Sequence, residues 1–213
     1  MLLGDLVNRG PDSPGVVETV LAGLAQGVLD FVPGNNDVKL ARAALGRDVR
    51  PSADLDRTLA QFAARDGGNE LLRAFARAVM TRPAWRVDGP YVMAHAGFDL
   101  RMLHRAPAPL GGACALDRRL AAQAIWGEVN DTHDDSKPEP SYAWARQIPP
   151  GHKVLIGHDV RAHDRIVRRR TDNGGEIIHL DCGLDEGGRL ATLDVPLRRS
   201  PPRPAGGRLW IAD

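Results

Sequence analysis

Cysteine is nearly missing from this sequence. Cys114 and Cys182 are the only two, and they show neither metal-ligand spacing nor a disulfide framework. That excludes a small disulfide-stapled scaffold and a zinc-finger module, and it makes a reduced, cytoplasmic setting the expectation. Lysine is scarce as well. Only Lys39, Lys137 and Lys153 occur, so the basic side chains are mostly arginine. Net charge is +1, which gives no global field pointing to nucleic acid or a membrane surface. Long apolar runs are absent: no stretch approaches the roughly 20 residues of a membrane-spanning helix. Met1-Leu2-Leu3 has neither the length nor the charged start of a signal peptide.

What is present is a balanced globular composition, 43% hydrophobic and 26% charged. Its 213 residues suffice for one sizeable core, or a core with a small subdomain. The pattern begins with a short apolar run leading to Gly4-Asp5. Ser13-Pro14 then reads as an N-cap with proline at the first helical position. Val17, Val20, Leu21 and Leu24 follow at helical spacing, with Gly27 as the stop. Val28 to Val32 reads as a buried strand ending at Pro33-Gly34-Asn35-Asn36-Asp37, a loop rich in turn-tolerant side chains. Residues 37–81 have helical periodicity broken at Arg50-Pro51-Ser52 and Asp66-Gly67-Gly68-Asn69, the pattern of a helical insert over a sheet edge.

Trp85 to Val87 and Tyr91 to Ala94, joined by Asp88-Gly89-Pro90, read as a hairpin that ends at His95-Ala96-Gly97. Leu116 to Trp126 has the pattern of a helix, and Glu128 to Pro140 that of a polar loop. Lys153 to Ile156 predicts a strand ending at Gly157-His158. Arg165 to Arg169, Glu176 to Leu180 and Leu190 to Val195 predict three more, joined by turns at residues 172–175 and 185–188. The fold class expected is α/β. Residues 1–197 form one domain and 198–213 a Pro- and Arg-rich tail.

Four loops repeat one form: an apolar strand, then a ligand-type residue beside glycine. They supply Asp5, Asn35, His95 and His158. One carboxylate, one amide oxygen and two imidazoles suit a divalent metal such as Mn, Fe or Zn. Arg9, four residues after Asp5, offers a planar fork of donors for phosphate oxygens. Taken singly each of these has a bland reading, since a lone histidine at a strand end is usually a structural hydrogen-bonding group.

In order along the chain, four segments resemble the successive motifs of the calcineurin-like metallophosphoesterases. They are Gly4-Asp5-Leu6-Val7-Asn8-Arg9-Gly10-Pro11-Asp12-Ser13, Gly34-Asn35-Asn36-Asp37, His95-Ala96-Gly97 and Gly157-His158. His179-Leu180-Asp181-Cys182-Gly183 is similar to the phosphoprotein phosphatase branch. That branch includes bacterial serine/threonine protein phosphatases, symmetrical diadenosine tetraphosphatases and RNA-repair phosphatases. The resemblance implies an α/β/β/α sandwich of two mixed sheets and two metals bridged by hydroxide, manganese being the first expectation. It makes Asp5 the bridging ligand, with Asn35, His95 and His158 completing the second metal site. It sets Arg9 and Asn35 on the substrate phosphate. Arg101, just after the His95 loop, is a further candidate for that phosphate.

The sequence departs from the family in two places. The Asp-x-His motif that opens the family, together with its β-α unit, is not among these residues. Unpaired sheet edges and low stability are expected from that. Asp131-Thr132-His133 has the letters of the motif but no strand feeding it, and the solvated-loop reading of Asn130 to Asp135 is preferred. The second departure is Asn36, which stands where the family has a proton-donating histidine. A missing general acid costs about 10²–10⁴-fold, most for alkoxide leaving groups and least for phenolates and phosphoanhydrides. Asn8 stands where an aspartate is common.

The catalytic candidates are therefore Asp5, Arg9 and Asn36. Trp126 either packs or flanks the substrate, Cys182 reads as a small buried hydrophobe, and His104, His133, His152, His163 and His179 have no motif behind them. The expected function is metal-dependent hydrolysis of phosphate monoesters on a phosphorylated protein, nucleotide or small molecule, with activity reduced by the two departures. The alternatives are a nucleoside polyphosphate hydrolase on the same fold and a non-catalytic phosphate- or metal-binding pseudo-phosphatase.

Overall fold

The computed structural model of this chain describes residues 1–129 and 140–196, and the statements below concern those residues. The loop from Asn130 to Asp135, with Asp131 and His133, and the Pro- and Arg-rich tail lie outside them. The predicted helical stretches become α1 (Ser13–Ala25), α2 (Asn35–Ala44), α3 (Ala53–Ala63) and α4 (Gly68–Thr81). Each buries the apolar stripe its spacing announces: Val17 and Val20 on α1, Leu72, Phe75, Ala76 and Val79 on α4. The N-cap of α1 is one residue earlier than expected. Asp12 accepts from the Gly15 amide at 2.9 Å, and Ser13 is already helical. Gly27, at φ +70°, stands just past the Gln26 C-cap, where a stop was expected.

The rest of the chain supplies β1 (Trp85–Asp88), β2 (Tyr91–Ala94), α5 (Ala115–Trp126), β3 (Glu128–Val129), β4 (Pro140–Ser141), β5 (Lys153–Ile156), β6 (Val167–Arg170) and β7 (Glu176–His179). Five strands make one mixed sheet in the order β1-β2-β5-β7-β6, and β3 pairs with β4 apart from it. The three central strands β2, β5 and β7 are parallel, while β1 and β6 pair antiparallel at the edges. Parallel strands need cover on both faces, and this sheet has it. Val92, Val154 and Ile177 lie in register and join the helices in the main core. Their neighbours Met93, Leu155 and Ile178 face the other way, under Leu3, Ile166, Leu180, Leu193 and Val195.

Three predicted β features take other forms. Val28 to Val32 does not make a strand: the Val28 and Leu29 amides bond back to the Gly23 carbonyl and finish α1, leaving Val28 78% exposed. Only Phe31 and Val32 are buried there, and Phe31 forms a parallel bridge with Leu2. Leu190 to Val195 is not a strand either. Leu193 and Val195 lie against the sheet face as irregular chain. The expected turn at residues 185–188 is a 3-10 turn over Leu184–Glu186, closed by the Gly188 amide on the Gly183 carbonyl at 2.8 Å. No helix among the described residues is long and apolar enough to cross a membrane.

Candidate functional site

Leu2 and Phe31 pair in parallel, as do β2 and β5, and the loops that follow these four segments converge; the C-terminal ends of parallel strands are the usual ligand-binding edge of an α/β sheet. Leu2 leads to Gly4-Asp5, Phe31 to Gly34-Asn35, β2 to His95, and β5 to Gly157-His158. The Gly157 amide donates to the His95 carbonyl at 2.9 Å and ties the last two loops together.

Four side chains, from Asp5, Asn35, His95 and His158, meet at that edge. His95 Nε2 lies 3.0 Å from Asn35 Oδ1, 3.1 Å from His158 Nδ1 and 3.5 Å from Asp5 Oδ1. His158 Nδ1 is 3.1 Å from Asn35 Oδ1. One ligand atom from each of Asp5, His95 and His158 falls within 4.8 Å of the others.

The donor set fits a divalent cation for a specific reason. His95 Nδ1 is 2.7 Å from the Leu3 carbonyl oxygen, an acceptor only, so Nδ1 carries the ring proton. Nε2 then presents a lone pair, and it faces an amide oxygen and a carboxylate oxygen that present lone pairs too. Acceptors packed this closely are stabilised by a cation among them. A ring nitrogen that donates to a backbone carbonyl while its partner faces inward is the usual support for a metal-ligating histidine. Loss of hydration, and then neighbouring His95, lower the His158 pKa, which favours the uncharged ring that a metal requires.

The loops approach each other closely, and glycine makes that possible. A Cβ placed on Gly34 would meet Asp5 Oδ1 at 2.3 Å, the Asp5 amide nitrogen at 2.4 Å and His95 Cε1 at 2.9 Å. Backbone strain gathers here as well. Among the described residues the non-glycine positions with left-handed φ are Asp5 (52°), Asn8 (74°), Arg9 (56°) and His158 (65°). Such angles persist where surrounding structure over-determines them, and they cluster at functional sites.

Asp37 holds the first two loops together. Fully buried, it accepts from the Leu6 amide through Oδ1 and from the Gly34 amide through Oδ2, both at 2.9 Å. Burial, and then the charge of Asp5, push its pKa up to about 7 against the pull of these backbone donors. Sequence reasoning passed over Asp37. An acidic residue three positions after the Gly34 N-cap of α2 was the available signal.

The other candidates take distinct places. Asn36 donates to Asp5 twice, from its backbone amide to Oδ1 at 3.0 Å and from Nδ2 to Oδ2 at 2.7 Å. Arg9 is half exposed. Its Nη1 lies 2.5 Å from Asp185 Oδ2 and its Nε 3.8 Å from Asp54. Asp185 raises the Arg9 pKa and Arg9 lowers that of Asp185. Nothing in the sequence pattern singled out Asp185. Arg101 turns back onto Asp99, two residues before it, at 2.6 Å. Trp126 is 46% exposed at the end of α5, and Cys182 is buried.

A mixed α/β fold with a cluster of oxygen and nitrogen donors at the ends of its parallel strands is thus the class that fold and site define. No family model matches the chain. Among curated proteins it is similar to those named bis(5'-nucleosyl)-tetraphosphatase PrpE [asymmetrical]. The protein of Geobacillus thermodenitrificans is 28% identical over 199 residues, which cover 91% of this chain and 74% of the relative. That of Anoxybacillus flavithermus is 26% identical with the same coverage, and that of Bacillus subtilis 27% identical over 198 residues, 91% of this chain and 74% of the relative. The motif resemblance included symmetrical tetraphosphatases; these relatives are named as asymmetrical ones.

Proposed function

We propose that this chain is a metal-dependent hydrolase of phosphoanhydride bonds in nucleoside polyphosphates. The observation that carries this reading is the environment of Asn36. It stands against Asp5 with its amide engaged on both sides, donating to Asp5 and accepting from Asn8 Nδ2 at 2.9 Å. An amide cannot transfer a proton at neutral pH, so the leaving group has to depart as a stable anion. A nucleoside phosphate does so; a serine alkoxide does not. The names of the relatives support the same substrate class over the phosphoprotein and monoester reading.

In this reading Asp5, Asn35, His95 and His158 hold a divalent cation, manganese first among the choices. When bound it supplies a Lewis acid for the phosphoryl oxygens and lowers the pKa of a water. The chain's own groups do the rest. Arg9 exchanges Asp185 for a phosphate oxygen pair and orients it by its planar fork. The Leu3 carbonyl keeps the His95 ring in one tautomer. Asn36 keeps the Asp5 carboxylate in place and leaves the departing oxygen unprotonated.

The test is to compare Mn2+-supplemented hydrolysis of a dinucleoside tetraphosphate, an aryl phosphate and a phosphoserine peptide, each with and without EDTA. The first two are expected to be cleaved, the peptide at least about 10²-fold more slowly, and all activity should disappear with the chelator. Comparable rates on the phosphoserine peptide would overturn the leaving-group account. Activity untouched by EDTA would overturn the metal.

A further inference from the structure

We propose that Thr58, on the helical insert, is a positioning residue for the candidate metal site, acting through Asn8 and Asn36 on the Asp5 carboxylate. The proposal rests on the reading of that site as a metal centre. Thr58 lies on the buried face of α3, 1% exposed, with Leu55 and Phe62. Its hydroxyl donates to Asn8 Oδ1 at 2.7 Å. Asn8 Nδ2 donates to Asn36 Oδ1 at 2.9 Å, and Asn36 Nδ2 donates to Asp5 Oδ2 at 2.7 Å.

The direction of this chain of bonds is set from its carboxylate end. A side-chain amide has its acceptor on one side and its donor on the other. The Asp5 carboxylate only accepts, so the Asn36 NH2 must face it and the Asn36 oxygen must face Asn8. The Asn8 NH2 then turns to Asn36 and its oxygen to Thr58, whose hydroxyl rotates to donate and so completes the chain. Asn36 thereby holds both carboxylate oxygens, Oδ2 through its side chain and Oδ1 through its backbone amide, with Oδ1 turned to His95 Nε2. Linked bonds of this kind polarise one another and lose more than one bond's worth when broken. Asn8 also sits at φ 74°, a conformation asparagine tolerates better than most residues. Asn36 therefore has a defined task despite being unable to move a proton. A buried hydroxyl on the helical insert thus reaches the Asp5 carboxylate.

Thr58→Val removes the donor at nearly constant shape, and Thr58→Ser keeps it. Mn2+ affinity by titration calorimetry and the side-chain amide resonances of Asn8 and Asn36 in metal-free protein are the two measurements. Thr58→Val is expected to weaken Mn2+ about tenfold, the lower end for loss of an outer-shell partner, with Thr58→Ser within about twofold of the parent. In an Asn36→Ala background Thr58→Val should weaken Mn2+ no further, because residues acting through one another are not additive. A merely structural role for Thr58 would add in both backgrounds. In the metal-free spectra both amides should shift in Thr58→Val and stay in Thr58→Ser. Unmoved amides, or the same tenfold loss in the Asn36→Ala background, would overturn the proposal. A parent chain that takes up no Mn2+ while its amides still respond would sink the metal reading and leave the hydrogen-bond relay standing.

Discussion

Gly34→Ala should disable the candidate site through space alone. Gly34 has φ −90° and ψ 175°, an extended conformation open to any residue, so the substitution adds no backbone strain. The added methyl has nowhere to go. It would lie 2.3 Å from Asp5 Oδ1 and 2.4 Å from the Asp5 amide nitrogen, and real Cβ contacts stay beyond 3.0 Å. The Asp5 loop must therefore retreat by about 0.7 Å or more, and backbone atoms are among those that move. Overpacking of this kind costs about 1–3 kcal/mol. In a chain of this size that lowers the melting temperature by about 2–4 °C per kcal/mol. The retreat also moves the carboxylate, now 3.5 Å from His95 Nε2, away from that nitrogen and from Asn35 and His158, which stand 3.0 and 3.1 Å from the same atom. Mn2+ affinity should fall at least about tenfold, the scale seen when the support of a ligand is lost. Gly112→Ala is the control, since a Cβ there meets nothing within 4 Å. Calorimetric titration and thermal melts of the three proteins decide the matter. A Gly34→Ala protein with parental Mn2+ affinity and melting temperature would show that the two loops do not approach as described.

Asp185→Asn should release Arg9 for phosphate. The pair is substantially exposed and worth about 0–1 kcal/mol, so the inhibition constant of inorganic phosphate should drop by up to about fivefold; unchanged or weaker phosphate binding would contradict the exchange of partners. His179 should make stability depend on pH. Burial, and then Arg161, lower its pKa to about 4, against about 6.5 in the unfolded chain. Between those values the unfolded chain takes a proton that the folded one refuses. Stability is therefore full above about pH 6.5 and declines as pH falls toward 4, by about 3 kcal/mol at most. Urea unfolding across that window should show the decline in the parent and a flatter profile in His179→Phe; parallel profiles would refute it.

The residues that could be read ahead were those with a local signature. Asp5, Asn35, His95 and His158 each follow an apolar run and stand within two residues of a glycine, and the loops that carry them converge. The helices announced themselves by spacing. Thr58 could not be found this way, and the capping position of Asp37 marked a helix start but not its bond to the Leu6 amide. A threonine or an aspartate on a helix has many uses, and what matters in each is a bond to a loop far off in sequence. Val28 to Val32 and Leu190 to Val195 misled for a related reason. Apolar content reports that a segment seeks cover, but whether it gains a strand partner depends on what else claims its amides. In the first case α1 claimed them. In the second the side chains found the sheet face without a ladder.

The bond between Arg9 and Asp185 joins residues 176 positions apart, and Asn35, His95 and His158 come from segments scattered between them, with Asp5 just ahead of Arg9. Few of these contacts are local, so the chain has to close long loops before the four donors and Arg9 can meet, and topologies of that kind assemble slowly. A fragment that keeps only some of these segments cannot rebuild the cluster by itself. Mn2+ retention, if the proposed site holds, then reports on whether the segments from Asp5 to Asp185 have come home, and a cut between them that lets the pieces part should silence it at once.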